Sequence, residues 1–431
     1  MLFWVGVSGI PGVTDGEQGQ QRADVLSVTA SMKPLSLNLR LIYRRNSNIS
    51  VNMNSGKKTA LTRPILTLAA TAAVIVLCCS AGCVISETTA AEGWTPEITQ
   101  LTDYPEYNLY LAEYTHDDKL DELIAEHITD TGLLNRRIAE LCAPGTDVRI
   151  KLPAPACTVF ISSDATSGVM SEVTSEEPPE GSFEGQYLTG RNFDFGDTSC
   201  MLVHTVPDNG YESIAFADIN MYASDPVNDP ANPQDTLISP YLCMDGLNEA
   251  GVFIAVLVAD GPAVHQNTGK PVATAPFIIR LVLDKAADVY EAVLLIGDFD
   301  ANFASGYQYF IADKSGNTAV VNYIHDELTV VFGETILTNF YVCEIPEDYP
   351  EGHGQDRYEI AETMLEDAGY ETDSAKAFDI LEAVAQTTEM LDPGTTQWSA
   401  VYYLTKGYAD VVFRQHWDDV ISSSHLSVVP V

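Results

Sequence analysis

Apolar residues recur at three- and four-residue steps through Leu120, Leu123, Ile124, Ile128, Leu133, Leu134, Ile138 and Leu141. This spacing predicts two amphipathic helices interrupted near Gly132. Pro144-Gly145 and the Pro153-Ala154-Pro155 run then break any helix. After Ala156 the texture changes to short apolar runs separated by turns, and these predict strands: Cys157 to Ser162, Gly251 to Ala259, Tyr307 to Ala312, Thr318 to Tyr323 and Ser399 to Leu404. Helical spacing returns at Phe277 to Leu295, Arg357 to Ala368 and Ser374 to Thr387. Strands that lead, helices that cluster and strands that return predict an α+β fold, with helices packed on antiparallel sheets.

The first 83 residues carry a different signal. Residues 57 to 83 combine a basic start (Lys57, Lys58, Arg63), an apolar run from Ile65 to Cys79 and small residues before Cys83. That is the three-part pattern of a secretory signal, and the apolar run is short for a membrane span, which needs about 20 apolar residues. The Ser80-Ala81-Gly82-Cys83 ending resembles a lipoprotein signal, in which Cys83 would carry the lipid, although Ser80 stands where Leu is usual. An uncleaved N-terminal anchor is the alternative. Residues 1–52 lack apolar periodicity and precede Met53, the expected true start, so they are read as outside the product or disordered. The expected organisation is therefore 53–83 signal, 84–156 linker and helical prosegment, and 157–431 one further domain. An exported, membrane-anchored or secreted protein is expected, touching the membrane only through its N-terminus.

Charge narrows the partners. The chain of 431 residues has 22 Lys+Arg against 61 Asp+Glu, and from Val84 onward the counts are 14 and 58. Such a surface repels a polyanion, so nucleic acid is excluded as a partner. With 46% hydrophobic residues there is ample material for a core. The acidity itself fits a surface kept soluble in salt-rich surroundings.

Of eight cysteines, Cys78, Cys79 and Cys83 belong to the signal; Cys142, Cys157, Cys200, Cys243 and Cys343 remain, with no spacing suited to zinc. No metal site is expected. An odd number in an exported chain leaves at least one thiol that is either buried and inert or reactive. The histidines are scattered, and neither a GxSxG elbow nor a Walker loop occurs, so a Ser/His or Cys/His triad has no support.

The informative stretches are PAPACTVF at 153–160, GQYLTGRNFDF at 185–195, PYLCMDGLNEAG at 240–251, ILTN at 336–339, DRYEIAETML at 356–365 and TQWSAVYYLTKG at 396–407. In this order they resemble the choloylglycine hydrolase group of linear amide C-N hydrolases, N-terminal-nucleophile enzymes that begin, after processing, with a catalytic Cys. The resemblance implies a four-layer αββα sandwich over 157–431. It implies Cys157 as nucleophile, freed by a cut after Ala156, with Arg191 and Asp194 beside it, Asn339 as an oxyanion donor and Arg357 completing the pocket. The chemistry is coherent. An N-terminal Cys carries nucleophile and base together, because its α-amine, with a pKa of about 8 in model peptides, can take the thiol proton. Asp194 would hold that amine and Arg191 would favour the thiolate. A donor such as Asn339 is commonly worth ~3 kcal/mol at a developing oxyanion. From Cys157 onward only Arg191, Arg280, Arg357 and Arg414 occur, and two of these four fall in the motifs. No cofactor or metal is required by this chemistry.

Two departures matter. Bile-salt-cleaving members have a second oxyanion Asn where this chain has Val258, whose side chain cannot donate. The acid ceramidase branch resembles the long prosegment, its leading segment staying bound after the cut, and Cys142 would then be open to a disulfide with Cys343 or Cys200. The expected activity is hydrolysis of an N-acyl amide through a Cys157 thioester, with a small-molecule substrate. The alternatives are an acyltransferase of the C45 peptidase type and a non-catalytic surface binding protein on the same fold. Oligomeric state, homo-oligomer included, stays open.

Overall fold

The computed structural model describes residues 38–43, 49–54, 95–105, 107–115, 119–144, 156–166, 186–196, 198–221, 228–387, 395–424 and 428. In chain order the strands are β1 (Asn38–Tyr43), β2 (Ile49–Asn54), β3 (Glu97–Gln100) and β4 (Tyr110–Tyr114), followed by helices α1 (Leu120–Ala125) and α2 (Thr131–Cys142). Then come β5 (Ala156–Asp164), β6 (Tyr187–Phe195), β7 (Cys200–Thr205), β8 (Ser213–Asp218), β9 (Cys243–Asn248), β10 (Val252–Val258), β11 (Val264–His265) and β12 (Val272–Ala273). Helices α3 (Ala275–Lys285) and α4 (Val289–Gly297) precede β13 (Asp300–Phe303), β14 (Tyr307–Asp313), β15 (Thr318–Ile324), β16 (Glu327–Phe332) and β17 (Ile336–Leu337). The chain closes with α5 (Gln355–Asp367), β18 (Glu371–Thr372), α6 (Ser374–Ala383), β19 (Thr395–Tyr403), β20 (Tyr408–Phe413) and β21 (Val420–Ser422).

Two large sheets result. The larger runs β1-β2-β16-β15-β14-β10-β9-β8-β7-β4-β3, and the smaller β17-β5-β6-β19-β20-β21, with β18 beside β5. Within these two sheets, among the described residues, pairing is antiparallel except at β4 with β7 and β18 with β5. The α+β expectation holds.

Alternation along the smaller sheet explains how the layers stack. Cys157, Val159 and Ile161 on β5, and Trp398, Ala400 and Tyr402 on β19, join the main core shared with the larger sheet. Their neighbours Phe160, Val401 and Tyr403 point the other way, into a second core with Ala361 and Leu365 of α5 and Phe378 and Leu381 of α6. The smaller sheet is thus buried on both faces, and β5, β6 and β19 are buried along almost their whole length, polar residues included. On the far side of the larger sheet, α3 lies against β9 and β10, and α4 against β14 and β15. The Phe160 ring lies over Gly190, its register partner, where a Cβ would come within 2.2 Å of the ring.

Several expectations change in detail. The single helical pattern at Phe277 to Leu295 is two helices, because Asp288 caps a new one by accepting from Glu291 N at 2.8 Å. The break between α1 and α2 precedes Thr131, where Asp130 Oδ1 accepts from Leu133 N at 2.7 Å, so Gly132 lies inside a first turn. The segment 84–156 is more than helical: β3 and β4 add two strands to the larger sheet. Within 1–54, β1 and β2 form an antiparallel hairpin, with β2 beside β16. Met53 and Asn54 fall in β2, while the rest of the expected 53–83 signal, Cys83 included, lies outside the described residues. Cys200 and Cys343 carry no disulfide, so neither is joined to Cys142.

Candidate active site

β5 sets Cys157 on the face that looks toward the larger sheet, wholly buried, with its Sγ 3.9 Å from Val256 O on β10. The backbone N–H of Cys157 donates to Asn339 Oδ1 at 2.7 Å. The Ala156–Cys157 bond lies inside β5, and Ala156, opposite Asp194, is as buried as Cys157.

The GRNFDF motif forms β6 beside β5, and its spacing decides what each side chain meets. Arg191 and Asp194 are three residues apart, so they project from opposite faces of the strand. Arg191 shares the thiol's face: its Nε donates to Asp245 Oδ2 at 3.1 Å, Nη2 to Val256 O at 3.0 Å and Nη1 to Asn192 O at 3.1 Å. Asp194 looks toward the helices, accepting from Thr396 Oγ1 at 2.6 Å, Gln386 Nε2 at 3.1 Å and Arg357 Nη1 at 3.4 Å. Two buried ion pairs therefore flank β6, Arg191 with Asp245 on one face and Arg357 with Asp194 on the other.

Arg357 enters in the first turn of α5, on the buried stripe it shares with Ala361 and Leu365. Its fork donates from Nη1 to Cys157 O at 2.6 Å and Thr158 Oγ1 at 2.9 Å, and from Nη2 to Asn339 Oδ1 at 2.7 Å. Gly354, just before α5, has φ of 84°, and a Cβ there would fall 2.5 Å from Arg357 Nη2. That turn needs glycine for both its conformation and its clearance.

Asn339 is held from several sides. Its Nδ2 donates to Val258 O at 2.7 Å, and its carbonyl accepts from His353 N at 3.1 Å. Gln308 Nε2 donates to the carbonyls on either side of it, Thr338 O at 2.8 Å and Phe340 O at 3.3 Å. The His353 ring reaches Asp260 Oδ2 at 2.5 Å, tying the Asn339 segment to the turn after β10.

The electrostatics follow from burial. Desolvation pushes the Cys157 thiol up to about 11, against the pull of Arg191. Burial also raises the Asp194 carboxyl, opposed by Arg357, Thr396 and Gln386, and raises that of Asp245, opposed by Arg191, Tyr402 and Trp398. Among the described residues no cluster suited to a metal ion occurs.

All five expected site residues meet around one backbone segment, with two differences from expectation. In this uncut chain the nitrogen of Cys157 is held by Asn339, whereas the Asp194 carboxylate is engaged by Arg357, Thr396 and Gln386. Asn339 uses its oxygen on Cys157 N and its amide nitrogen on Val258 O, so Val258 takes part through its backbone as an acceptor. Sequence reasoning missed Asp245, although it lies in the quoted DGLN segment, and missed Thr396 and Trp398 of the quoted TQW. It also missed Gln308, Gln386 and His353, which stand outside any motif and are found only through contacts.

Residues 238–412 match the model of the acyl-coenzyme A:6-aminopenicillanic acid acyl-transferase family. No curated protein matches the chain. Among solved structures, penicillin V acylase from Agrobacterium tumefaciens is similar at TM-score 0.45 and 17% identity, covering 63% of this chain and 88% of that one. A mutant of conjugated bile acid hydrolase from Clostridium perfringens gives TM-score 0.44 and 15% identity, covering 62% and 91%.

Proposed function

We propose that this chain, which resembles the choloylglycine hydrolases in its ordered motifs, is a cysteine N-terminal-nucleophile hydrolase that cleaves the C-N bond of a linear N-acyl amide. The observation that carries this is the convergence of Arg191, Asn339 and Arg357 on the thiol, nitrogen and carbonyl of the single residue Cys157. Helices on the outer faces of two facing sheets support the four-layer αββα sandwich.

In this reading the chain with Ala156 still joined to Cys157, as in β5, is the precursor. In the first step the thiol attacks the Ala156 carbonyl. Its proton goes to the departing nitrogen, which becomes the free α-amine of Cys157, and water then hydrolyses the thioester and restores the thiol. In turnover that amine takes the thiol proton, the thiolate attacks the amide carbonyl of the substrate, and the leaving amine departs with the proton. Water, deprotonated by the same α-amine, resolves the acyl thioester. Asn339, whose Nδ2 donates to Val258 O, is the side-chain donor that this reading assigns to the oxyanion. Asp194, across from Ala156, is poised to meet the new amine once Ala156 has gone.

The leading segment stays bound after the cut in this reading. β4 pairs with β7 inside the larger sheet, and Val272 N donates to Ile128 O at 2.7 Å beside α2. Export by the segment 53–83, with lipid on Cys83, is part of the same proposal. A panel of N-acyl amides, offered to the recovered protein and to its Cys157→Ala variant, tests it: amine release by the first and none by the second supports the reading, and no release by either contradicts it.

A second reading, acyl transfer to an amine in place of water, is favoured by the acyl-transferase description of the matching family model. An added amine acceptor separates the two, since transfer gives a new amide and hydrolysis a free acid.

A further inference from the structure

Asp245 lies on β9 of the larger sheet, yet among the described residues every side-chain partner of its carboxylate belongs to the smaller one. Oδ2 accepts from Arg191 Nε and from Trp398 Nε1, each at 3.1 Å, and Oδ1 accepts from the Tyr402 hydroxyl. Trp398 and Tyr402 stand four residues apart on the same face of β19, and Trp398 is itself fixed by stacking on Phe193, with ring centroids 4.0 Å apart. All of these side chains are wholly buried. A buried carboxylate with three donors is a rigid anchor, and the only charged one of its bonds is that to Arg191.

That bond decides what the guanidinium presents to the thiol. With Nε on Asp245, Nη2 on Val256 O and Nη1 on Asn192 O, three of the five N–H groups are committed. The Cys157 thiol approaches the same Val256 O that Nη2 engages, which sets it beside the guanidinium that pulls its pKa down. Asp245 also offsets the positive charge of Arg191 in a medium where charges are poorly screened. We propose that Asp245 is a positioning residue of this site: its carboxylate, anchored by Trp398 and Tyr402, fixes the direction and the effective charge of Arg191 and so governs ionisation of the Cys157 thiol. The other titratable groups around the cluster are Asp194 on the far face of β6, Arg357 on α5, and Cys243 on β9 near Tyr402. The inference takes its catalytic meaning from the proposed amidase reading, but the ionisation itself belongs to the uncut chain.

The test is thiolate absorbance at 240 nm against pH, measured on the full chain and corrected with the matching Cys157→Ala protein. Asp245→Asn is expected to lower the Cys157 midpoint by about one pH unit, tenfold more thiolate at a given pH below it. In an Arg191→Gln background the same substitution is expected to do almost nothing, because its effect passes through Arg191. An unchanged midpoint in folded Asp245→Asn, or an equal shift without Arg191, overturns the proposal. Should Asp245→Asn fail to fold, Tyr402→Phe removes one donor and leaves more of the carboxylate charge to Arg191. The midpoint then rises and thiolate falls several-fold, and no change overturns the proposal. A titration shift in a chain that hydrolyses no amide would leave this inference standing and sink the proposed function.

Discussion

Asn339 Oδ1 accepts the backbone N–H of Cys157 at 2.7 Å, across 182 residues of sequence. Arg357 Nη2 donates to the same oxygen at 2.7 Å, so one side-chain carbonyl aligns a backbone nitrogen with a guanidinium. Asn339→Ala removes the acceptor of two buried donors, one of them charged. A loss of about 3 kcal/mol or more is expected, read as a lower urea midpoint at an unchanged slope.

Gly354 takes its importance from Arg357. Gly354→Ala combines a φ of 84° with a Cβ 2.5 Å from Arg357 Nη2. The backbone strain costs about 1–2 kcal/mol, but the displaced fork reaches Cys157, Thr158 and Asn339 together. The expected outcome is a modest fall in thermal midpoint and a larger fall in kcat/KM, measured on the same preparation.

Asp194 and Arg357 are a buried pair, and removing one partner leaves the other uncompensated. Asp194→Ala is expected to destabilise by about 3–5 kcal/mol, since Arg357, Gln386 and Thr396 all lose an acceptor. Arg357→Lys retains the charge but not the fork. It should preserve more stability than Asp194→Ala while still abolishing amide cleavage, which denaturation and product assays on both variants would show.

The buried thiol gives the precursor a pH signature. Burial raises Cys157 from 9.0 to about 11 in the folded chain, so the folded state holds its proton where the unfolded state has released it. The corresponding stability is complete below pH 9 and is lost as pH rises through about 11, on the order of 2 kcal/mol. Relative to Cys157→Ala, the uncut protein should lose stability progressively between pH 9 and 11, as judged by denaturation at a series of pH values. Parallel curves for the two proteins would show that the thiol is not buried in solution.

The site was legible where chemistry is carried by short, ordered motifs. Cys157, Arg191, Asp194, Asn339 and Arg357 each stand in one, and the period-two alternation of a strand already implies that Arg191 and Asp194 occupy opposite faces. What the sequence hides is the partner brought by the other sheet. Asp245 stands in the quoted DGLN segment, but it reaches Arg191 across the interface between sheets, 54 residues on, and nothing local to that segment pairs the two. Gln308 and Gln386 are hidden for the same reason, since a buried glutamine acting on backbone or carboxylate has no periodic signature. β3 and β4 escaped notice because both are short, with β3 largely exposed and β4 stabilised by pairing with the distant β7. The helical reading of residues 120–141 rests on local apolar spacing and survives in α1 and α2.

The central claim is that Cys157 becomes the N-terminus of a working nucleophile. Intact-mass and N-terminal analysis of the recovered protein, beside its Cys157→Ala variant, tests it most directly. The account predicts a new N-terminus at Cys157 in the first and an unbroken chain through Ala156 in the second; an unbroken chain in both would contradict it.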